Sequence, residues 1–169
     1  SGALVKMIRR HQPQIVINNR LAKPRRGGDW GYETPEQRIG AMSDQPWESC
    51  ITSTRKFWGY HVCHEDPSMW YSERELLTTL VTCVANGGNL LLNVGPYASG
   101  ELPGLFGERT RVLGDWLRRN AAAIYGAEPA NFEFAHGGVM TKKQNRLYLL
   151  FLYWPGTRYS LPGFNEKLL

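Results

Sequence analysis

The hydrophobic pattern of the first 126 residues alternates between helical spacing and short, continuous apolar runs. Apolar residues three and four positions apart indicate amphipathic helices, whereas short apolar runs rich in β-branched residues indicate buried strands. In chain order, the pattern predicts a helix over 3–11, strands over 14–19 and 47–52, a helix over 73–85, a strand over 89–96 and a helix over 105–120. This alternation is typical of α/β proteins with a parallel sheet.

The helix over 73–85 and the strand after it carry the clearest local signals. Ser72 and Glu75 have the spacing of a capping box, in which each side chain bonds the other residue's backbone N–H. The next run, NLLLNVGP over 89–96, is continuously apolar until it reaches Gly-Pro. Such a strand must be covered on both faces, which favours a parallel sheet. In the last helix, the residues predicted to face inward are Val112, Leu113, Trp116 and Leu117.

Two stretches depart from this alternation. Residues 20–45 are rich in glycine, proline and charge, which predicts a long irregular loop of the kind that is usually functional or mobile. Beyond residue 126, short antiparallel strands joined by Gly-Gly and Pro-Gly turns are predicted over 131–136, 139–142, 146–154 and 157–161. The change places a domain boundary near Glu128 and predicts two domains, 1–127 and 128–169.

Composition changes this picture mainly by exclusion. The chain has 169 residues and a formal net charge of +5, with the apolar and charged fractions of an ordinary globular protein. Its basic residues occur as scattered pairs without an aromatic-basic platform, so no nucleic-acid partner is expected. No stretch is long and apolar enough to span a bilayer, so no membrane partner is expected either. The six tryptophans and eight tyrosines suit a protein that stacks sugars, although large cores also use these residues.

The cysteines and histidines do not indicate a disulfide framework or a metal centre. Cys50, Cys63 and Cys83 are odd in number and lack CxxC spacing, and Cys50 and Cys83 lie in apolar runs that predict buried thiols. His61, Cys63 and His64 are close in sequence, but their spacing matches no common set of metal ligands. We therefore predict no metal and no cofactor.

Four separated motifs occur in the order IVINNR (15–20), WESC (47–50) with WGY (58–60), GGNLLLNVGP (87–96) and GDWLRRNAAAIYG (114–126). Together they resemble the α-L-fucosidases of glycoside hydrolase family 29. The resemblance implies a catalytic (β/α)8-like barrel of the TIM type followed by a β-sandwich. The expected fold class is therefore α/β, with the second half of such a barrel followed by the beginning of an antiparallel β-sandwich domain.

The resemblance also implies the reaction, which is release of terminal α-linked L-fucose with retention of configuration. Retention uses two carboxyl groups about 5–5.5 Å apart, one as nucleophile and one as acid/base. The nucleophilic aspartate of the family falls upstream of the helix that starts this chain. We therefore expect the chain to be an excerpt of a longer polypeptide, or to pair with another chain that supplies the missing half of the barrel.

The acid/base of the family matches one of two glutamates here. Glu36 follows a Thr-Pro pair in a loop that is able to close over a sugar. Glu48 follows Trp47 at the start of a strand, which is the apolar setting that suits a general acid. Both remain candidates, and one of them could transfer the proton while the other holds it in place.

Three further residues are candidate sugar contacts. Arg20 matches a family arginine that reaches the sugar, and its guanidinium fork suits ring and hydroxyl oxygens. The alternative for Arg20 is an ion pair with Asp29 or Glu33. Trp58 matches an aromatic residue that packs on the C5-methyl side of fucose, with core packing as its alternative. Trp47, which adjoins the Trp-Glu motif, is the third candidate.

The function predicted from these residues is that of a retaining α-L-fucosidase acting on fucosylated oligosaccharides or glycoconjugates. One alternative is a non-catalytic carbohydrate-binding module derived from the same fold. Another is a retaining glycosidase with a different sugar specificity. The resemblance favours a secreted, periplasmic or lysosomal protein, and it is compatible with a homo-oligomer.

Overall fold

The computed structural model describes residues 2–21, 31–130 and 137–159. Within those ranges the helices are α1 (Gly2–His11), α2 (Glu73–Ala85) and α3 (Gly104–Asn120). The strands are β1 (Glu48–Thr52), β2 (Asn89–Asn93), β3 (Glu128–Pro129), β4 (Gly138–Lys143) and β5 (Arg146–Phe151). The three predicted helices are confirmed, and α2 begins with the predicted capping box between Ser72 and Glu75. Over the same ranges, none of the helices has the length and apolarity needed to cross a bilayer.

A parallel arrangement of extended segments forms the N-terminal part of the fold. Strands β1 and β2 pair in parallel, with Cys50 level with Leu91. The segment 31–36 lies along the other side of β1, also in parallel, and its Glu36 is paired with Cys50. Asn18 forms a further parallel bridge to this segment, at Tyr32. Four consecutive extended stretches therefore lie side by side in chain order and point in the same direction, which confirms the α/β class.

Two predictions in this region need correction. The strand predicted over 14–19 is instead a short extended stretch with a single bridge, from Asn18 to Tyr32. It is short because a turn at 13–14 occupies its predicted start and a 3₁₀ helix, Asn19–Leu21, begins at its predicted end. Its backbone still bonds the next segment, from the Gly31 amide to the Ile17 carbonyl. The irregular loop predicted over 20–45 contains the extended segment 31–36, and residues 22–30 lie outside the described part of the chain.

The two faces of β1 have different surroundings. Trp47, Ser49 and Ile51 alternate onto a buried face, where Ser49 contacts the thiol of Cys83 on α2. Glu48, Cys50 and Thr52 alternate onto the opposite face. On β2, Leu91 shares that second face and is 48% exposed, so the prediction of a strand covered on both faces holds only on the helix side.

The C-terminal strands form an antiparallel sheet in the order β3-β4-β5, which packs on α2 and α3. Its contact with the helices is a core of Val81, Val84 and Ile124, surrounded by half-buried apolar side chains that include Trp116 and Leu150. Strand β5 ends at Phe151, short of the predicted residue 154, and residues 157–159 are not a strand. The strand predicted over 131–136 and the last two residues of 157–161 lie outside the described residues. Helix α3 buries Leu113 as predicted but exposes Val112.

The Trp47 indole allows a direct test of this packing. A Cβ added at Gly88 would overlap the Trp47 ring, so we expect Gly88→Ala to lower the free energy of unfolding by about 1–3 kcal/mol. Gly107, inside α3, has open space around it, so Gly107→Ala should raise stability by about 0.5–1 kcal/mol. Urea unfolding of both variants measures the difference, and equal midpoints for the two would contradict the packing described.

Candidate active site

Arg20 and Glu36 form an ion pair where two adjacent extended segments end. The guanidinium Nη1 of Arg20 lies 2.7 Å from Oε2 of Glu36, and the side chains are 46% and 44% exposed. Arg20 follows the stretch that bridges to Tyr32, and Glu36 is the last residue of the segment beside β1. Because these segments are parallel, both side chains emerge at the same edge of the sheet. The pair therefore combines a carboxylate and a planar cation at an accessible edge.

The orientation of Arg20 is fixed by Thr34 as well as by Glu36. Arg20 Nε donates to the Thr34 hydroxyl at 2.6 Å, and Nη2 donates to the Thr34 carbonyl at 3.2 Å. The Thr34 hydroxyl and backbone N–H both donate to Asn19 Oδ1, at 2.9 and 3.1 Å. Of the carboxylates on the described residues, Glu36 and not Glu33 pairs with Arg20. Asp29, the other partner predicted from the sequence, lies outside the described residues. The sequence offers no signal for Thr34, because a threonine before proline is common in ordinary turns.

Backbone pairing places Glu36. The Cys50 amide donates to the Pro35 carbonyl at 2.8 Å, and the Gln37 amide donates to the Cys50 carbonyl at 2.9 Å, so Glu36 is held between two bonds to β1. Gln37 then turns the chain with a φ of +51°. Its side chain amide donates to Thr52 Oγ1 at 2.9 Å, which fixes the turn. Gln37 is a second supporting residue that sequence reasoning missed.

Glu48 lies deeper along the sheet than Glu36. It is the first residue of β1, whereas Glu36 is level with Cys50, two residues closer to the carboxyl end. At a rise of about 3.3 Å per residue, Glu48 is about 7 Å further from that edge. Within the described ranges, the Glu48 side chain makes no hydrogen bond or ion pair, while its backbone N–H donates to the Glu33 carbonyl at 2.9 Å.

The pKa of the Cys50 thiol depends on burial and on the charged side chains around this face of the sheet. Burial raises the pKa of its thiol, the Arg20 guanidinium opposes the rise, and the carboxylates of Glu36 and Glu48 add to it. One thiol is therefore within electrostatic range of three predicted site residues. The structure brings Arg20, Glu36 and Glu48 together on one face of the parallel sheet. The cysteine itself is half-buried rather than buried as predicted, whereas Cys83 is fully buried.

Trp58 lies in the loop 53–61 that follows β1. Asn93, the last residue of β2, donates from its side chain amide to the Trp58 carbonyl at 2.7 Å. A side chain at Gly95 would overlap the backbone of Gly59 and Tyr60, so the loop crosses directly above the end of β2. The Trp58 side chain is 38% exposed. The loop thus presents an accessible indole at the same edge as Arg20 and Glu36.

Trp47, the other candidate tryptophan, has a different environment. It is buried on the helix side of the sheet, and Cβ atoms at Gly40 or Gly88 would overlap its ring. The indole is therefore enclosed, with the backbone of both glycines packed against it. The ring has no open face for a sugar, and its position explains why glycine occupies both neighbouring sites.

The histidines near Cys63 have structural partners. His64 is buried, with Nε2 2.8 Å from the Lys56 carbonyl and Nδ1 accepting from the His61 amide at 3.3 Å. His61 Nδ1 accepts from the Cys63 amide at 3.1 Å. In the part of the chain that the structure describes, no group of three or more His, Cys, Asp or Glu side chains is arranged to hold a metal ion.

Comparison with known sequences identifies the family. The sequence profile described as Alpha-L-fucosidase matches residues 1–122. Tissue alpha-L-fucosidase of Rattus norvegicus is 33% identical over 150 residues, which cover 84% of this chain and 32% of that protein. Alpha-L-fucosidase of Branchiostoma floridae is 34% identical over 149 residues, which cover 85% and 33%. The chain belongs to the alpha-L-fucosidase family.

Solved structures agree with this assignment. Alpha-L-fucosidase isoenzyme 1 from Paenibacillus thiaminolyticus superposes with a TM-score of 0.76 at 36% identity, over 86% of this chain and 36% of that one. The Thermotoga maritima alpha-fucosidase in complex with fucose superposes with a TM-score of 0.69 at 31% identity, over 87% and 33%. The chain spans about a third of the length of the curated relatives it matches.

The hydrogen bonds around Thr34 generate a prediction that is independent of catalysis. Thr34→Val keeps the side-chain volume but removes the acceptor of Arg20 Nε–H, so hydrogen exchange of that proton should quicken severalfold. The lost bonds should also lower the free energy of unfolding by about 0.5–1.5 kcal/mol. Thr34→Ser is the matched control and should preserve slow exchange. NMR of the arginine side chains measures both variants, and unchanged exchange in the valine variant would contradict the proposed anchoring.

Proposed function

We propose that these residues form part of the active site of a retaining α-L-fucosidase that releases terminal α-linked L-fucose from glycans. The observation that carries this proposal is the Arg20–Glu36 pair, held at the carboxyl edge of parallel segments and open to solvent. In parallel barrels, catalytic groups come from the carboxyl ends of the strands, and the opposite ends support stability. The relatives named alpha-L-fucosidase supply the reaction and the substrate class.

The proposed architecture is the second half of a (β/α)8-like barrel over 1–127 and the first strands of a β-sandwich over 128–169. Four neighbouring extended stretches run in parallel in chain order, as successive strands of a barrel do. The antiparallel sheet is separate from them and begins at Glu128. The family match ends at residue 122, close to the proposed boundary.

Glu36 is the proposed acid/base. It lies at the carboxyl edge, whereas Glu48 lies about 7 Å deeper along the sheet, on the side that supports barrel stability. We propose that Glu48 has a supporting role on the same face of the sheet, nearer the amino ends of the strands, and does not transfer the proton. In a retaining reaction, one carboxyl group first protonates the leaving oxygen and then, as a carboxylate, activates the water.

Arg20 has two proposed partners in the cycle. In the free protein, it pairs with Glu36. When fucose binds, its guanidinium turns to the sugar hydroxyls, which releases Glu36 for proton transfer. Trp58 provides the apolar contact for the C5-methyl side of the ring, while Trp47 is not assigned to binding because it is buried against Gly40 and Gly88. No residue of this chain is assigned as the nucleophile, which the family resemblance places before α1.

The experiment compares aryl α-L-fucosides with good and poor leaving groups, using a polypeptide or a pair of chains that carries both these residues and the nucleophile. Glu36→Ala should lower kcat/KM for the poor leaving group by about 10²–10⁴-fold and much less for the good one, because only the poor one needs a proton. Azide should restore turnover by attacking the fucosyl-enzyme intermediate and yielding α-fucosyl azide. Glu33→Gln, in the same segment, is the control and should retain activity.

Three outcomes would contradict the proposal. Leaving-group dependence and azide rescue in Glu48→Ala instead of Glu36→Ala would overturn the assignment of the acid/base. Fucose binding without turnover, measured with the nucleophile present and without substitutions, would show a carbohydrate-binding module instead of an enzyme. Faster turnover of a different aryl glycoside would show that the substrate is another sugar.

A further inference from the structure

Phe57 combines exposure with an unfavourable backbone conformation. Its φ is +62°, in the left-handed region that a bulky residue other than glycine rarely adopts. The residue is 52% exposed, so burial does not compensate for that conformation. Residues held in this way occur preferentially at functional sites, where the surrounding structure imposes the conformation.

Hydrogen bonds on both sides impose this conformation. The carbonyl before Phe57, that of Lys56, accepts from the Thr54 hydroxyl at 3.0 Å and lies 2.8 Å from Nε2 of the buried His64. One residue further along, the Trp58 carbonyl accepts from the Asn93 side chain at 2.7 Å. Side chains therefore hold the peptide group before Phe57 and the peptide group after Trp58. The backbone on either side of the Phe57–Trp58 pair is fixed, which keeps Phe57 in its left-handed conformation.

One face of the Phe57 ring is backed by His61. The two ring centroids are 4.4 Å apart, with an angle of 25° between the planes, which is a stacked arrangement. His61 is itself oriented by the Cys63 amide, which donates to its Nδ1 at 3.1 Å. The residue as a whole is 52% exposed, so the ring remains accessible although His61 stacks on it. The result is an accessible aromatic ring that is supported by a second ring.

This surface lies at the edge of the sheet where the proposed acid lies. Asn93 is level with Thr52, so its side chain extends from the same face as Cys50 and Glu36, and it holds the loop over that face. Phe57 follows the last residue of β1 by five positions and directly precedes Trp58, whose carbonyl is held by Asn93 at the end of β2. A terminal sugar enters such a site first, and the group to which it is attached remains on the outer side.

We propose that Phe57 is a stacking platform for the saccharide ring to which the fucose is attached, so that the site selects fucosylated glycans over simple fucosides. This inference rests on the proposed function. Aromatic rings bury large apolar areas with little loss of side-chain freedom, and the apolar face of a pyranose matches such a ring. Because Trp58 is assigned to the fucose ring, we assign Phe57 to the neighbouring sugar.

The experiment measures kcat/KM for a fucosylated disaccharide and for α-L-fucosyl fluoride, whose leaving group is too small to contact the ring, with the same variants. Phe57→Gly removes the ring and suits the left-handed φ, so kcat/KM for the disaccharide should fall roughly three- to tenfold while that for the fluoride is unaffected. The melting temperature of this variant should be no lower than that of the unmodified protein. Phe57→Tyr keeps the platform and should preserve the ratio of the two substrates.

Each alternative result overturns the inference in a recognisable way. Equal loss on both substrates in Phe57→Gly, or an unchanged ratio, would remove the leaving-sugar role while leaving fucosidase activity intact. A change in oligomeric state of the glycine variant with an unchanged ratio would assign the ring to contacts between copies of the chain. Absence of turnover of α-L-fucosyl fluoride by the unmodified protein, assayed with the nucleophile present, would instead contradict the proposed function itself.

Discussion

The parallel register between the segment 31–36 and strand β1 is the constraint on which the rest of the site depends. It places Glu36 level with Cys50 and ends the segment at the same edge as Arg20. The Arg20 and Glu36 side chains are therefore close enough to form the ion pair. Because side chains alternate along a strand, a slip of one residue would turn Glu36 toward the helices. The bonds from Cys50 to Pro35 and from Gln37 to Cys50 prevent that slip.

The same alternation of side chains places the structural residues of β1 on one face and the residues of the proposed site on the other. Trp47 and Ser49 face the helix layer, where the indole is enclosed by glycine backbone and the hydroxyl contacts Cys83. Glu48 and Cys50 face the opposite side with the charged pair. A tryptophan and a glutamate that are adjacent in the motif therefore have unrelated roles. The loop after β1 adds exposed aromatic rings above that second face, held by Asn93.

Local sequence signals predicted the helices and strands, whereas the positions of the site residues depend on contacts between segments that are distant in sequence. The capping box at Ser72 and Glu75 and the apolar spacing of α2 predicted its bounds, since both signals lie within a few residues. The segment 31–36 was missed because its Gly, Pro and Glu have low strand propensity, and only pairing with β1 makes it extended. The role of Thr34 could not be predicted, because its partners come from the preceding segment.

The most direct measurement is a crystal structure of the polypeptide that carries these residues with a non-hydrolysable α-L-thiofucoside bound. We expect a Glu36 carboxylate oxygen within hydrogen-bonding reach of the bridging sulfur, Arg20 turned to the sugar hydroxyls and the fucose methyl packed on Trp58. A complex in which Glu48 occupies the position beside the sulfur, or in which Arg20 and Glu36 remain paired away from the sugar, would contradict this expectation.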